Sequence, residues 1–110
     1  MASGSDVTFQ IQGKHVPLLE GTKQFAEQQL FPGGSRANYE WLKNDIRFAE
    51  GLSEVERLIL CDAVTSGGLF ISLPESEALN YVNDLREKYA IDAKVIGKVV
   101  KKGDKAINVF

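Results

Sequence analysis

Leu60-Cys61-Asp62-Ala63-Val64-Thr65-Ser66-Gly67-Gly68-Leu69-Phe70-Ile71-Ser72-Leu73-Pro74 is the stretch on which the reading of this chain turns. A polar turn holding a carboxylate, two hydroxyls and two consecutive glycines runs directly into an apolar segment. Such a turn suits an anionic or metal-bound ligand, and it suits a structural corner equally well, because Asp, Ser and Thr also close tight turns through their own side chains. Residues 69–73 are almost wholly apolar and end at Pro74, which predicts a central strand covered on both faces. Beyond Pro74, Ala78, Val82, Leu85 and Tyr89 recur at three- and four-residue steps, so residues 75–89 are expected to form the longest helix.

Upstream, Val7, Phe9 and Ile11 alternate with Thr8, Gln10 and Gln12, a period of two that predicts a half-buried strand ending at Gly13-Lys14. Residues 1–6 read as a flexible tail and residues 7–110 as one domain. A helical stretch over residues 21–30, with Phe25, Ala26 and Leu30 on one face, is stopped by Phe31-Pro32-Gly33-Gly34. Asn38 reads as the N-cap of a short helix carrying Tyr39, Trp41 and Leu42, and Ser53 with Glu56 has capping-box spacing. Residues 93–100 read as a strand, 101–104 as a hairpin turn and 106–110 as a closing antiparallel strand. The order is that of an α+β domain with helices on a mixed, mostly antiparallel sheet, and it lacks the repeated parallel crossovers of a doubly wound nucleotide fold.

Composition bounds the possible functions. With 110 residues the chain fills one domain, able to bury roughly two-thirds of its unfolded surface. The formal net charge of -2 argues against a nucleic-acid partner. One cysteine, Cys61, cannot make an internal disulfide or a multi-thiolate zinc site, and a reducing, cytoplasmic setting is the natural expectation. The first residues are too polar for a signal peptide, and no run reaches the roughly 18 apolar residues of a membrane span. No membrane partner is expected.

Gly33-Gly34-Ser35 with Asn38 could present free amides to a phosphate at a helix N-terminus, but it lacks the Lys-Ser/Thr ending of a P-loop, and Pro-Gly-Gly also terminates helices. Cys61, following Leu58-Ile59-Leu60 with no histidine nearby in sequence, reads as a small core residue rather than a nucleophile. His15, the only histidine, suits a turn. Asp45, Glu50, Glu54 and Glu56 lack the ligand alternation of a calcium loop, Lys101, Lys102 and Lys105 keep a hairpin edge soluble, and Trp41 with Tyr39 reads as packing.

Two of these segments resemble one family. Residues 61–70 resemble the Cys-Asp-Pro-Gln-Thr-Ser-Gly-Gly-Leu-Leu segment of the selenophosphate synthetases (selenide, water dikinases), and Pro32-Gly33-Gly34-Ser35 with Asn38 resembles their Pro-Gly-Gly-Thr-x-x-Asn. Val16-Pro17-Leu18-Leu19-Glu20-Gly21 is similar to the family's Val-Pro-Leu-Leu-x-Gly, and Val95-Ile96-Gly97-Lys98-Val99 to its Ala-x-x-Ile-Gly-x-Val. The resemblance covers nearly everything from Val7 onward. Ala63 and Val64 stand where the family has Pro-Gln, and Ser35 where it has Thr.

The resemblance implies the C-terminal domain shared with aminoimidazole ribonucleotide synthetase-like enzymes, layered α/β/α with partial ferredoxin-like character. It implies an incomplete copy, because the family's Asp-Val-Thr-Gly-Phe-Gly-Leu segment has only the echo Asp6-Val7-Thr8. Family enzymes convert ATP, selenide and water to selenophosphate, AMP and phosphate with magnesium. Their Gly-rich ATP-binding half, with its catalytic cysteine or selenocysteine, lysine and metal-holding aspartates, has no counterpart here. The resemblance therefore implies no catalytic or metal-binding residue in this chain and no cofactor bound by it alone. It assigns Gly33, Gly34, Asn38, Asp62, Thr65, Ser66, Gly67 and Gly68 as substrate- or phosphate-facing positions. The expected partners are the ATP-binding half, in cis or in trans, and a second copy in a homodimer. The competing expectation is a non-enzymatic anion-binding or protein-interaction module derived from the same domain, with a purine-pathway synthetase domain a third possibility.

Overall fold

The alternating run predicted at the start of the chain is the strand around which the sheet is assembled. In the computed structural model, which describes residues 1–110, β1 (Val7–Ile11) pairs antiparallel with β3 (Gly97–Lys101) on one side and parallel with β4 (Ile107–Val109) on the other. β4 in turn pairs in parallel with β2 (Ile46–Phe48), giving the order β2-β4-β1-β3. Before β1, Ser3–Ser5 forms a 3-10 turn, Ala2 is buried, and the Val7 amide donates to Ala2 O.

Register decides which side chains share a face. Phe9 stands opposite Val99 and Ile107, Ile11 opposite Gly97 and Val109, and Ile107 and Val109 opposite Ile46 and Phe48. Because successive residues of a strand point to opposite faces, all these apolar residues lie on one side. Thr8, Gln10, Arg47, Lys98 and Asn108 lie on the other.

The apolar face receives the helices. α1 (Thr22–Glu27) and α2 (Gly33–Leu42) both pack on α3 (Glu54–Leu60). Tyr39 of α2 places its ring 6.0 Å from that of Phe48, and the Arg57 guanidinium of α3 lies over the same ring. Leu58, Cys61, Leu52, Ala26 and Val109 are buried and form the core of this half. α3 begins with the predicted capping box: Ser53 Oγ accepts from the Glu56 amide, and Glu56 Oε2 accepts from the Ser53 amide at 2.8 Å. Two of the four orphan amides of that terminus are satisfied reciprocally.

The other half of the face, β1 and β3, looks across a groove of about 760 Å³ to residues 67–73 and to α4 (Glu75–Tyr89). α4 has the predicted bounds, starts after Pro74 and ends at Ala90 in a left-handed conformation. Ala78, Val82 and Leu85 line the groove, whereas Leu79 and Tyr89 remain largely exposed. The structure is α+β on a mixed sheet. Of the α/β/α layering implied by the resemblance, the contacts of this chain supply one helical layer and the sheet. No helix is long and apolar enough to cross a membrane.

Several local expectations are corrected. Residues 69–73 form no strand and join no ladder, although β2 and β3 each leave an outer edge of the sheet open; the run instead lies over the sheet, with the Phe70 ring 5.4 Å from that of Phe9. Residues 101–104 are not a hairpin turn between paired strands, since β1 lies between β3 and β4 and both strands pair with it rather than with each other. With β4 parallel to both its neighbours, two of the sheet's three pairings are parallel. The short strand β2 falls in a region that the sequence pattern left irregular. Asn38 is no N-cap: α2 starts nearly two turns earlier, after Pro32, whose fixed φ suits the boundary. Trp41 does not pack and is 79% exposed.

Candidate functional site

The two glycine-containing motifs meet. α3 ends at Leu60, and the Cys61 and Asp62 amides close its last turn by donating to carbonyls of residues 57–59. Asp62 is thereby delivered to the N-terminus of α2. There Ser35, completely buried, donates its Oγ proton to Asp62 Oδ1 at 2.6 Å. Asn38, one turn further along α2, donates from Nδ2 to Cys61 O at 3.1 Å. α2 has no side-chain cap of its own, so Asp62 supplies from another element the negative charge that a helix N-terminus favours.

Gly34 is required by this approach. A Cβ at that position would lie 2.8 Å from Ala63 Cβ, inside any normal contact, whereas a Cβ at Gly33 meets nothing within 4 Å. Small side chains on both sides let the turn lie against the helix.

Gly33, Gly34, Asn38 and Asp62 are thus gathered into one cluster, but Asn38 and Asp62 spend their polar atoms on each other's elements. Thr65 and Ser66 sit in an exposed turn, and Gly67 and Gly68 open onto the rim of the large groove. The amides of residues 65–73 donate no backbone hydrogen bond. Ser35 and Ala63 are contributors that the motif comparison did not assign as site residues. Burial of Ser35 within a Gly-Gly-Ser segment carries no signal in the linear sequence, since Ser at the start of a helix is ordinarily exposed.

No nucleophile is prepared here. Burial pushes the Cys61 thiol above its ordinary range, which disfavours the thiolate. His15 is exposed in the 3-10 turn Gly13–His15. No group of three or more His, Cys, Asp or Glu side chains gathers where it could hold a metal ion, and the carboxylate of the turn already accepts from Ser35. Magnesium therefore finds no ready cradle among these residues, while the amides of the 65–68 turn carry no backbone hydrogen bond and leave donors of the kind an anion accepts from.

Fold and site together define an α+β domain that presents a glycine-rich polar loop beside a helix N-terminus. Comparison with known proteins narrows this class. No family model matches the chain. The selenide, water dikinase of Clostridioides difficile (strain 630) is 39% identical over 110 residues, covering 100% of this chain and 32% of that protein. That of Clostridium botulinum (strain Alaska E43 / Type E3) is 38% identical over 107 residues, 97% of this chain and 31% of that protein. That of Myxococcus xanthus (strain DK1622) is 37% identical over 86 residues, 78% of this chain and 24% of that protein. The chain spans about a third of the length of the first two relatives. Along its whole length the chain matches selenide, water dikinases while covering about a third of them, consistent with a C-terminal domain of selenophosphate synthetase.

Proposed function

We propose that this chain serves as the C-terminal portion of a selenophosphate synthetase, lining the substrate cleft of an enzyme that converts ATP, selenide and water to selenophosphate, AMP and phosphate. Phosphoryl transfer needs positioned metal ions and phosphate clamps, and those belong to an ATP-binding half supplied in cis or in trans. The role of this chain is positioning. Its Asp62-Ser35 link holds the turn of Thr65, Ser66, Gly67 and Gly68 against α2, and the amides of that turn face anionic groups of the substrate. A cytoplasmic setting goes with the single buried thiol. The observation that carries the reading is similarity to selenide, water dikinases over the full chain, with both family-like motifs joined by the Ser35–Asp62 and Asn38–Cys61 hydrogen bonds.

The test is phosphorus NMR of the purified chain with ATP, magnesium and selenide. No selenophosphate or AMP forms from the chain alone; addition of a separately produced ATP-binding half restores both. Turnover by the chain alone overturns the reading.

A second reading, a stand-alone interaction module that forms a homodimer, is favoured by the apolar groove and by the exposure of Leu69 (90%) and Leu79 (67%) beside it. Sedimentation decides between a dimer and a monomer, and a clean monomer at high concentration counts against this module.

A further inference from the structure

A second concavity, of about 240 Å³, has none of residues 62–68 in its lining and adjoins the large groove, with which it shares Val16, Pro17, Asp92 and Lys94. It is enclosed by the 3-10 turn after β1, the segment that follows it, α1, α3 and the link into β3. Its floor is apolar, built from Val16, Leu52, Ile59 and Leu60. Its walls carry three ammonium groups, Lys14, Lys23 and Lys94, against two carboxylates, Glu56 and Asp92.

The carboxylates are already engaged. Glu56 Oε2 accepts from both the amide and the hydroxyl of Ser53 at 2.8 Å, and Asp92 pairs with Lys94 at 3.4 Å. Lys14 and Lys23 take part in none of the six ion pairs of the chain. Hydrogen bonds from Ser53 hold the Glu56 carboxyl below its ordinary range, and Lys23 and Lys14 act in the same direction as the smallest contributions. The two lysines line the same small space from different elements, the 3-10 turn and α1, and the walls retain one positive charge in excess.

We propose that this pocket binds a small monocarboxylate with a short apolar chain, the carboxylate between Lys14 and Lys23 and the chain on the Val16-Leu52-Ile59-Leu60 floor. The volume lies below the roughly 300 Å³ at which pockets for drug-sized ligands begin, so the ligand is small. An apolar floor distinguishes it from inorganic phosphate, which offers nothing to bury, and the excess positive charge excludes an amine. The proposal does not depend on the phosphate-facing role of the Asp62 turn.

Amide NMR of the 110-residue chain, titrated in parallel with hexanoate, hexylamine and inorganic phosphate, tests it. Hexanoate produces saturable shifts at Gly13, Leu18, Leu52 and Ile59 with a dissociation constant on the order of 1 mM, while hexylamine and phosphate leave these amides in place. Lys14→Met combined with Lys23→Met weakens hexanoate binding roughly tenfold or more, as expected for loss of charge-assisted contacts. Both lysines are exposed, so the variant keeps its amide spectrum elsewhere. Absence of saturable shifts with hexanoate, equal shifts with phosphate, or undiminished binding by the double variant each overturns the proposal. Failure of the phosphate arm to move Gly67 and Gly68 bears only on the function proposed for the Asp62 turn.

Discussion

Replacing Ser35 by Ala tests how far the Ser35–Asp62 hydrogen bond joins the two motifs. The substitution removes a single oxygen from a fully buried position and leaves no cavity worth a methyl group, so the lost interaction with Asp62 dominates. A hydrogen bond to an ionised partner contributes about 1.5–3 kcal/mol. Asp62 is exposed on its other side, where water replaces part of what Ser35 gave, which places the expected loss near the lower end, about 1.5 kcal/mol. At about 4–8 °C per kcal/mol for a domain approaching this size, the melting midpoint falls by about 6–12 °C. The informative measurement is a double-mutant cycle of Ser35→Ala, Asp62→Ala and the pair, followed by urea unfolding with circular dichroism. Asp62→Ala in the Ser35→Ala background should cost about 1.5 kcal/mol less than in the parent chain. Additivity within about 0.3 kcal/mol would show that the two groups do not interact, and the account of the site would fail with it.

Three further outcomes are expected. Gly97→Ala places a Cβ far inside contact distance of Gln10 O, across the antiparallel β1–β3 pairing. It costs at least about 3 kcal/mol and releases the β1 amides to hydrogen exchange, whereas Gly33→Ala, with open space around its Cβ, leaves the melting curve within about 0.5 kcal/mol. Glu56 has its pKa lowered chiefly by hydrogen bonds from Ser53; the folded state binds fewer protons than the unfolded one just below the ordinary value of 4.5, so stability falls as pH drops through that value toward the folded pKa. Ser53→Ala should flatten this acid limb in pH-dependent urea unfolding, and an unchanged slope would refute the assignment. Cys61 has its pKa raised by burial; the folded chain keeps its proton where the unfolded chain loses it, so stability declines as pH rises above about 9. A disulfide reagent at neutral pH should label Cys61 far more slowly than the urea-unfolded chain, and equal rates would contradict a buried thiol.

Local signals were readable where the governing interaction is itself local. The Val7-Phe9-Ile11 alternation, the Ser53–Glu56 capping box and the three- and four-residue spacing in α4 each depend on neighbours within a turn or a strand. All three are in the structure. Residues 69–73 misled because an apolar run reports only that burial is favourable, not whether it is achieved in a ladder or by lying over a sheet face. β2, three residues long and with only Ile46 and Phe48 facing inward, offers too little pattern to be seen. Resemblance, not periodicity, singled out Gly33, Gly34, Asn38 and Asp62 as one constellation.

Sequence by itself determined the α+β class, the Ser53–Glu56 capping box and the family-like motifs, because these follow from residue types at short spacing. The order β2-β4-β1-β3 was decided only in three dimensions: β1 could accept two partners, and which strands won its edges depended on competition among segments about 90 residues apart. The burial of Ser35 against Asp62 was likewise settled by tertiary packing, since a hydrogen bond between residues 27 apart exists only once α2 and α3 are in contact.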